Sequence, residues 1–253
     1  MLNQLIKSLY SPKDIASFRF QGIGKTILFV FFLTLISAIP SFVYLQIAIT
    51  NGVNASLETI DQELPNFTID NGELQTDQKA PVRIKQDEFT IIMDSTGKVE
   101  TKELKNNDNT IAFLKNELVF IAGGEVQTYP YSMADKLHLT KKDLIDIINT
   151  VSSSLVIILP LLFLIIYLFS LGAKFIEVSI LALIGFILKN GTERKLSYGQ
   201  VWRLSAYSVT LPTIFFMIMA ALKTNVPGNF FIHWVVSIIV LFLAIKEIPQ
   251  AKK

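Results

Sequence analysis

Residues 26–49 read TILFVFFLTLISAIPSFVYLQIAI, 24 positions without an ionisable side chain. A transmembrane α-helix needs about 20 mostly apolar residues to cross the hydrocarbon of a bilayer. The stretch therefore predicts a span, and with it an integral membrane protein. Beyond it, residues 50–150 are mostly hydrophilic, and apolar runs resume only at Val151. That pattern predicts a small domain displayed on one side of the membrane, between the first span and a cluster of later ones. The rival reading of the N-terminus, a cleaved signal peptide, calls for an apolar core of only about 7–15 residues. The longer run here reads as an uncleaved anchor.

Composition narrows the class further. The hydrophobic fraction is 51%, at or above the roughly 45–50% of soluble domains, and it is concentrated in blocks. Cysteine is absent, which removes disulfides, thiolate zinc sites and cysteine nucleophiles. An outer domain without disulfides fits a bacterial envelope better than a secretory pathway. Charge is segregated: 17 of the 21 acidic but only 10 of the 23 basic residues fall within 50–150, giving that segment −7 and the rest +9. Lys7, Lys13, Arg19 and Lys25 precede the first span against Asp14 alone, whereas Glu58, Asp61 and Glu63 follow it. Short cytoplasmic segments are enriched in lysine and arginine. The N-terminus is thus expected in the cytoplasm of a bacterial plasma membrane, with residues 50–150 extracellular.

Residues 1–25 form a cytoplasmic segment in which Leu2, Leu5, Ile6 and Leu9 recur at helical spacing. Ser11 and Pro12 then supply an N-cap and a favoured first helical residue for a second helix. This segment either lies on the inner leaflet or packs on the protein's own helices. After the first span, 26–49, the domain at 50–150 reads as β-rich, with four to six short strands. Residues 67–70 run into an Asn71-Gly72 turn. Residues 89–93 pass through Asp94-Ser95-Thr96-Gly97 into 99–102 as a hairpin. Residues 111–114 and 118–121 flank Lys115-Asn116-Glu117, and Gly123-Gly124 leads into 125–131. Thr140 followed by Asp143 resembles a capping box. From it Leu144, Ile145, Ile147 and Ile148 lead without a break into 151–171, predicting one helix that rises from the domain into the second span.

The C-terminal bundle occupies 151–245, with a tail at 246–253. Gly172-Ala173 offers a tight turn, 174–188 a third apolar run, and 204–222 and 230–245 two more, making five hydrophobic segments in all. If 174–188 re-enters or lies buried, four helices cross, and both the basic loop Lys189, Arg194, Lys195, Arg203 and the tail with Lys246, Lys252 and Lys253 share the side of the N-terminus. If it spans, the loop faces outward against the charge rule. Residues 178–188 are apolar all round, and the expectation is five spans: an α-helical membrane bundle with a β-rich extracellular insert.

Ionisable residues at membrane depth are functional candidates by default. Lys174 and Glu177 can pair on one helical face near the inner boundary, either as structural neutralisation or for proton or ion coupling. His233 beside Trp234 fits an interfacial belt. Ser205, Ser208 and Pro212 share a face of the fourth run and predict a kinked helix packed through hydroxyl contacts. Other constellations read as structure. Gly22-Ile23-Gly24-Lys25-Thr26 lacks the earlier glycine and the strand of a phosphate-binding loop. Asp94-Ser95-Thr96-Gly97 has one residue too many for an aspartic-protease loop and no second copy. Asp87 with Glu88 lacks the spacing of a calcium loop. No catalytic residue, metal ligand or cofactor is expected, and no nucleic-acid partner.

Several stretches together carry a resemblance: Ser8-Leu9-Tyr10-Ser11-Pro12 with Phe18-Arg19, Ile39-Pro40, residues 65–72 (PNFTIDNG), residues 91–97 (IIMDSTG) and the block after Lys174. Over nearly its whole length the chain resembles an uncharacterised family of Gram-positive bacterial membrane proteins, some of whose members carry the label maltodextrin-utilisation membrane protein. The resemblance implies an architecture and a link to sugar-transport loci, not a reaction. Residues 196–200 (LSYGQ) through 206–212 (AYSVTLP) also look like part of the five-span Yip1 family. The function expected is a non-enzymatic accessory or scaffold protein. Its external domain would bind a partner or ligand, and its helices would sit in the bilayer against another membrane protein such as a permease. The alternative is a small transporter or channel component, with Lys174, Glu177 and the fourth run lining a path. An intramembrane enzyme comes last, since neither paired aspartates nor a His-Glu-x-x-His helix is present.

Overall fold

The structure, a computed structural model, describes residues 1–86, 89–104, 109–133, 138–192 and 194–250. Three helices come first: α1 (Leu2–Tyr10), α2 (Pro12–Ser17) and α3 (Ile23–Gln62). Strands β1 (Phe67–Asp70), β2 (Glu73–Thr76), β3 (Val82–Lys85), β4 (Thr90–Asp94), β5 (Thr110–Leu114), β6 (Glu117–Ala122), β7 (Glu125–Pro130) and β8 (Leu139–Thr140) follow. The chain ends with α4 (Lys141–Gly191), α5 (Tyr198–Ser208), α6 (Thr210–Ala221) and α7 (Asn229–Lys246). It divides into two compact units, one of Met1–Ile47 with Ile158–Lys253 and one of Ala48–Ile157.

Among the described residues four helical segments, not five, are long and apolar enough to cross a membrane: Ile23–Gln62, Lys141–Gly191, Tyr198–Ala221 and Asn229–Lys246. The expected turn at Gly172-Ala173 does not form, and the second and third apolar runs are one helix of 51 residues. The reason is energetic. A glycine in a helix interior costs about 1 kcal/mol, whereas each backbone group left unpaired in hydrocarbon costs several. Continuing is cheaper than turning. The run at 174–188 also has a face after all, since Val178, Leu181, Ala182 and Gly185 are buried while Ile176, Leu183 and Ile187 are exposed.

In the first unit, α2 is capped as its sequence predicts, the Ser11 side chain accepting from the Asp14 N–H. Asp14 also accepts from Lys7 at 2.7 Å, and the Lys7 ammonium and Ser11 hydroxyl hold its carboxyl below the usual range. The N-terminal segment packs on the helices through Ile15 and Phe18, while Leu2 and Ile6 of α1 stay exposed. Ile23 to Thr26 form the start of α3, directly after Gly22, with Lys25 exposed and Thr26 buried. At the centre Tyr207 of α5 is fully buried. Its ring lies 4.6 Å from that of Phe18 and 4.4 Å from that of Phe29, and its hydroxyl donates to Gln21 Oε1 at 2.7 Å. The tightest approach is at Gly185 of α4, where a Cβ would stand 2.6 Å from Leu241 Cδ2 and 2.8 Å from Val201 Cγ1. Small residues let membrane helices approach in this way.

In the second unit, β1 and β2 form the predicted hairpin. Asn71 and Gly72 both adopt positive φ, at 49° and 80°, the signature of a type I′ turn. Gly123 and Gly124 do the same between β6 and β7. A three-stranded sheet has the order β2-β1-β8 and a five-stranded sheet the order β3-β4-β5-β6-β7. The hairpin expected through Asp94 is absent. Residues 99–102 are not a strand; a 3-10 turn at Thr101–Leu104 carries the chain across to β5, which pairs with β4 in parallel. Alternation sorts β4 between two cores, Ile91 and Met93 into one with Phe67, Ile69 and Phe113, and Ile92 into the other with Val99, Leu104 and Ala112. Asp94 explains the irregular turn. Its Oδ1 accepts from the Thr96 N–H at 2.9 Å and from the Thr96 hydroxyl at 2.6 Å, and its Oδ2 from the Val99 N–H at 2.7 Å. The capping box at the start of α4 closes as its sequence predicts, with Asp143 Oδ2 accepting from the Thr140 N–H at 2.9 Å. Asp87, Glu88, Lys252 and Lys253 lie outside the described residues.

Gly185→Val is expected to destabilise the protein by about 1–3 kcal/mol, the usual cost of overpacking, seen as a lower thermal midpoint in detergent; an unchanged midpoint would contradict the close approach. Burial pushes the Asp94 carboxyl up, but the bonds from Thr96 and Val99 outweigh it and hold its pKa below the ordinary value. A depressed folded pKa contributes stability above the unfolded pKa and loses it as pH falls through the folded one. Asp94→Ala should therefore speed amide exchange in β4 and β5 at neutral pH, by about 1–3 kcal/mol of local stability. The difference from wild type should shrink below pH 4.

Candidate functional site

Three helices bring polar side chains together in the first unit. Lys174 and Glu177 of α4, one turn apart, pair at 2.8 Å between Nζ and Oε2. Glu177 Oε1 lies 2.6 Å from His233 Nε2 of α7, and Lys174 Nζ also donates to Thr213 Oγ1 of α6 at 3.2 Å. The three ionisable side chains are each less than one-fifth exposed. His233 is held from its other side by Phe216, stacked at 5.9 Å. A carboxylate can only accept, so the imidazole Nε2 facing it carries the proton. Lys174 and Glu177 cancel in charge, and a second proton on His233 would leave the cluster net positive.

The cluster opens on a cleft of 580 Å³ whose wall includes Glu177, His233, Phe216, Phe230, Trp234 and Asn225. This revises the sequence reading of the pair. Because α4 is unbroken, Lys174 and Glu177 lie in its middle, at the end of the bundle where residues 222–228 join α6 to α7, not beside the basic loop at 192–197. The expected pair is present, and the structure adds two partners that spacing alone did not connect.

Ser205, Ser208 and Pro212 are buried, but the hydroxyls make no bond to a neighbouring helix. Ser208 donates back to the Leu204 carbonyl at 2.9 Å, and the Ser205 hydroxyl has no partner. Pro212 has no N–H to offer the Ser208 carbonyl and its ring crowds that group. The apolar run is accordingly interrupted at Val209, between α5 and α6. These residues shape the bundle through size and a break in the helix, not through polar contacts.

A second concavity lies wholly within the second unit. It measures 730 Å³ and is walled by α3 (Ala48, Ile49, Gly52, Val53, Ser56, Ile60), by α4 (Leu144, Ile148, Val151), by the five-stranded sheet and by Tyr131. Its lining is overwhelmingly apolar, and its volume falls within the roughly 300–1,000 Å³ of small-molecule sites. The Tyr131 hydroxyl is buried without a hydrogen-bond partner, and burial, followed by the charge of Glu117, pushes its pKa upward. Among the described residues no three histidine, aspartate or glutamate side chains gather into a metal site.

With both sites placed, comparison with known proteins adds the family. Residues 2–245 match the DUF1189 family of proteins of unknown function. The chain belongs to that family. No curated protein and no solved structure matches it. The DUF1189 match covers both units, so the sheet insert and the polar cluster fall within the family's extent.

Two features of this DUF1189 chain were missed by sequence reasoning. The capping box Ser197-x-x-Gln200, which starts α5 six residues before the apolar run, follows the S-x-x-Q pattern and was legible. The Glu177–His233 contact joins residues 56 positions apart and has no local signal.

Removing one partner of a buried ion pair leaves an uncompensated charge and costs about 3–5 kcal/mol, whereas replacing both with apolar residues can be neutral. Glu177→Leu alone should therefore lower the thermal midpoint in detergent markedly, and the Lys174→Met/Glu177→Leu double variant should recover most of the loss. Equal destabilisation by the single and double variants would show that the pair contributes nothing.

Proposed function

We propose that this protein is a non-enzymatic accessory component of a bacterial plasma membrane. In this reading it crosses the bilayer four times, with both termini in the cytoplasm and the sheet unit outside. The outer unit binds a ligand or partner, and the bundle docks on another membrane protein. The observation that carries the reading is the 730 Å³ apolar concavity built from both long helices and the sheet, a receptor-like feature. Charge supports the orientation. With four spans, Lys189, Arg194, Lys195 and Lys246 fall on the side of Lys7, Lys13, Arg19 and Lys25, as the positive-inside rule asks. The family resemblance to proteins labelled for maltodextrin utilisation makes a sugar permease the partner to test first.

A second reading, a small transporter component, has its own observation: the Lys174–Glu177–His233–Thr213 cluster on an aromatic-lined cleft. In-cell crosslinking followed by purification from native membranes separates the two. The control replaces residues 65–139 with a short glycine–serine linker. The accessory reading expects a stoichiometric membrane partner that the control loses. Recovery of the protein alone would overturn it and favour the transporter reading, in which Glu177→Gln abolishes uptake while the protein still folds.

A further inference from the structure

The apolar concavity is long as well as large. On α3 its wall is the stripe 48, 52, 56, 60 with 49 and 53 beside it, positions that share one helical face. Twelve residues of helix rise about 18 Å, which suits an extended chain better than a compact ring system. The lining then continues into exposed apolar surface. Val151, on the wall, is 44% exposed, and Ile158, two turns further along the same helix and on the same face, is 48% exposed. α4 is long and apolar enough to cross a membrane, so the surface that continues its part of the wall is the one that lipid covers. Of the hydroxyl-bearing residues on the wall, Ser56, Tyr129 and Tyr131, it is Tyr131, 5% exposed, whose hydroxyl is buried without a partner. An O–H donor at the wall of an apolar channel matches an ester carbonyl at the head of an acyl chain.

We infer that this concavity is a binding site for a membrane phospholipid, one acyl chain of which lies between α3, α4 and the five-stranded sheet, with its ester carbonyl accepting from Tyr131. The inference rests on the reading of the outer unit as ligand-binding and names the ligand class. Phospholipid is the source, because along α4 the wall runs on into bilayer-facing helix surface, and among the described residues the lining holds no charged side chain to bind a free carboxylate.

Gly52 provides the test. It stands in the middle of the α3 stripe, and a Cβ there meets no atom within 4 Å. Gly52→Phe should fill the channel without a clash, and it replaces the poorest helix former other than proline. The full-length protein is reconstituted in phosphatidylglycerol–phosphatidylethanolamine vesicles. The vesicles carry a trace of phosphatidylglycerol with a diazirine on one acyl chain, and adducts are mapped by mass spectrometry after illumination. Adducts are expected within 48–60, 111–120 and 144–151. They should fall by about tenfold in Gly52→Phe, the drop that a blocked site gives in occupancy, and persist in Gly52→Ala; Tyr131→Phe should lower them severalfold. Adducts confined to 26–47 and 158–188 in the wild type would overturn the site, a result that does not depend on any variant folding. Equal labelling of a folded Gly52→Phe protein would overturn it too. Displacement by free diazirine palmitate but not by unlabelled phospholipid would overturn the phospholipid source. Lipid labelling with no captured membrane partner would remove the accessory reading and leave the lipid site standing, and the reverse result would remove the lipid site alone.

Discussion

Backbone hydrogen bonding without water is the constraint from which the rest of this structure follows. In hydrocarbon every N–H and C=O must find its partner within the protein, and a helix satisfies them along its own length. That demand carries α4 through Gly172 and Ala173 and lets Pro160 sit inside it, as Pro40 sits inside α3. It also gives α3 and α4 lengths of 40 and 51 residues, well beyond the about 20 that a bilayer needs. The surplus is what the second unit is built on. Ile60 from the end of α3, Leu64 just beyond it, and Leu144, Ile145 and Ile148 from the start of α4 enter the same core as β1, β4 and β5.

Within the bundle two kinds of contact share α4. Lipid is as apolar as leucine, so burial alone gives helices no reason to associate. Specificity comes instead from fit and from polar pairing. Gly185 supplies fit, bringing α4 against Val201 of α5 and Leu241 of α7. Two turns earlier, Glu177 and Lys174 supply pairing to α7 and α6. The two contacts address the same neighbour at different heights and so fix α7 in both rotation and translation.

What the sequence disclosed was mostly local. The cap at Ser11, the Asn71-Gly72 and Gly123-Gly124 turns, the box at Thr140 and Asp143 and the Lys174–Glu177 pair each rest on residues within a few positions of one another, and each forms. The errors came where a local signal competed with a wider energy. Gly172-Ala173 has the composition of a turn, but the cost of unpaired backbone in lipid decides against it. Asp94 to Gly97 has the composition of a hairpin turn, but burial of Val99 and Leu104 beneath the sheet sends the chain across instead of back. Charge counting favoured the correct number of spans and hydrophobicity the wrong one, because an all-apolar run is equally suited to a separate span and to the extension of its neighbour. His233 and Tyr131 were unreadable as partners of anything, since their neighbours arrive from distant elements.

Synthesis order gives the spacing of Lys174 and Glu177 a further consequence. Groups three residues apart meet as soon as their own helix forms, so α4 can leave the translocon already neutralised, avoiding a penalty of roughly 2.5–3.5 kcal/mol per charge at a helix centre. Thr213 and His233 emerge from the ribosome only afterwards. The second oxygen of Glu177 waits for a helix that has yet to be made, and only an α7 that inserts with His233 at the right depth can occupy it. The two oxygens of Glu177 therefore differ in kind: one is satisfied within its own helix, the other only by a residue 56 positions later in the chain.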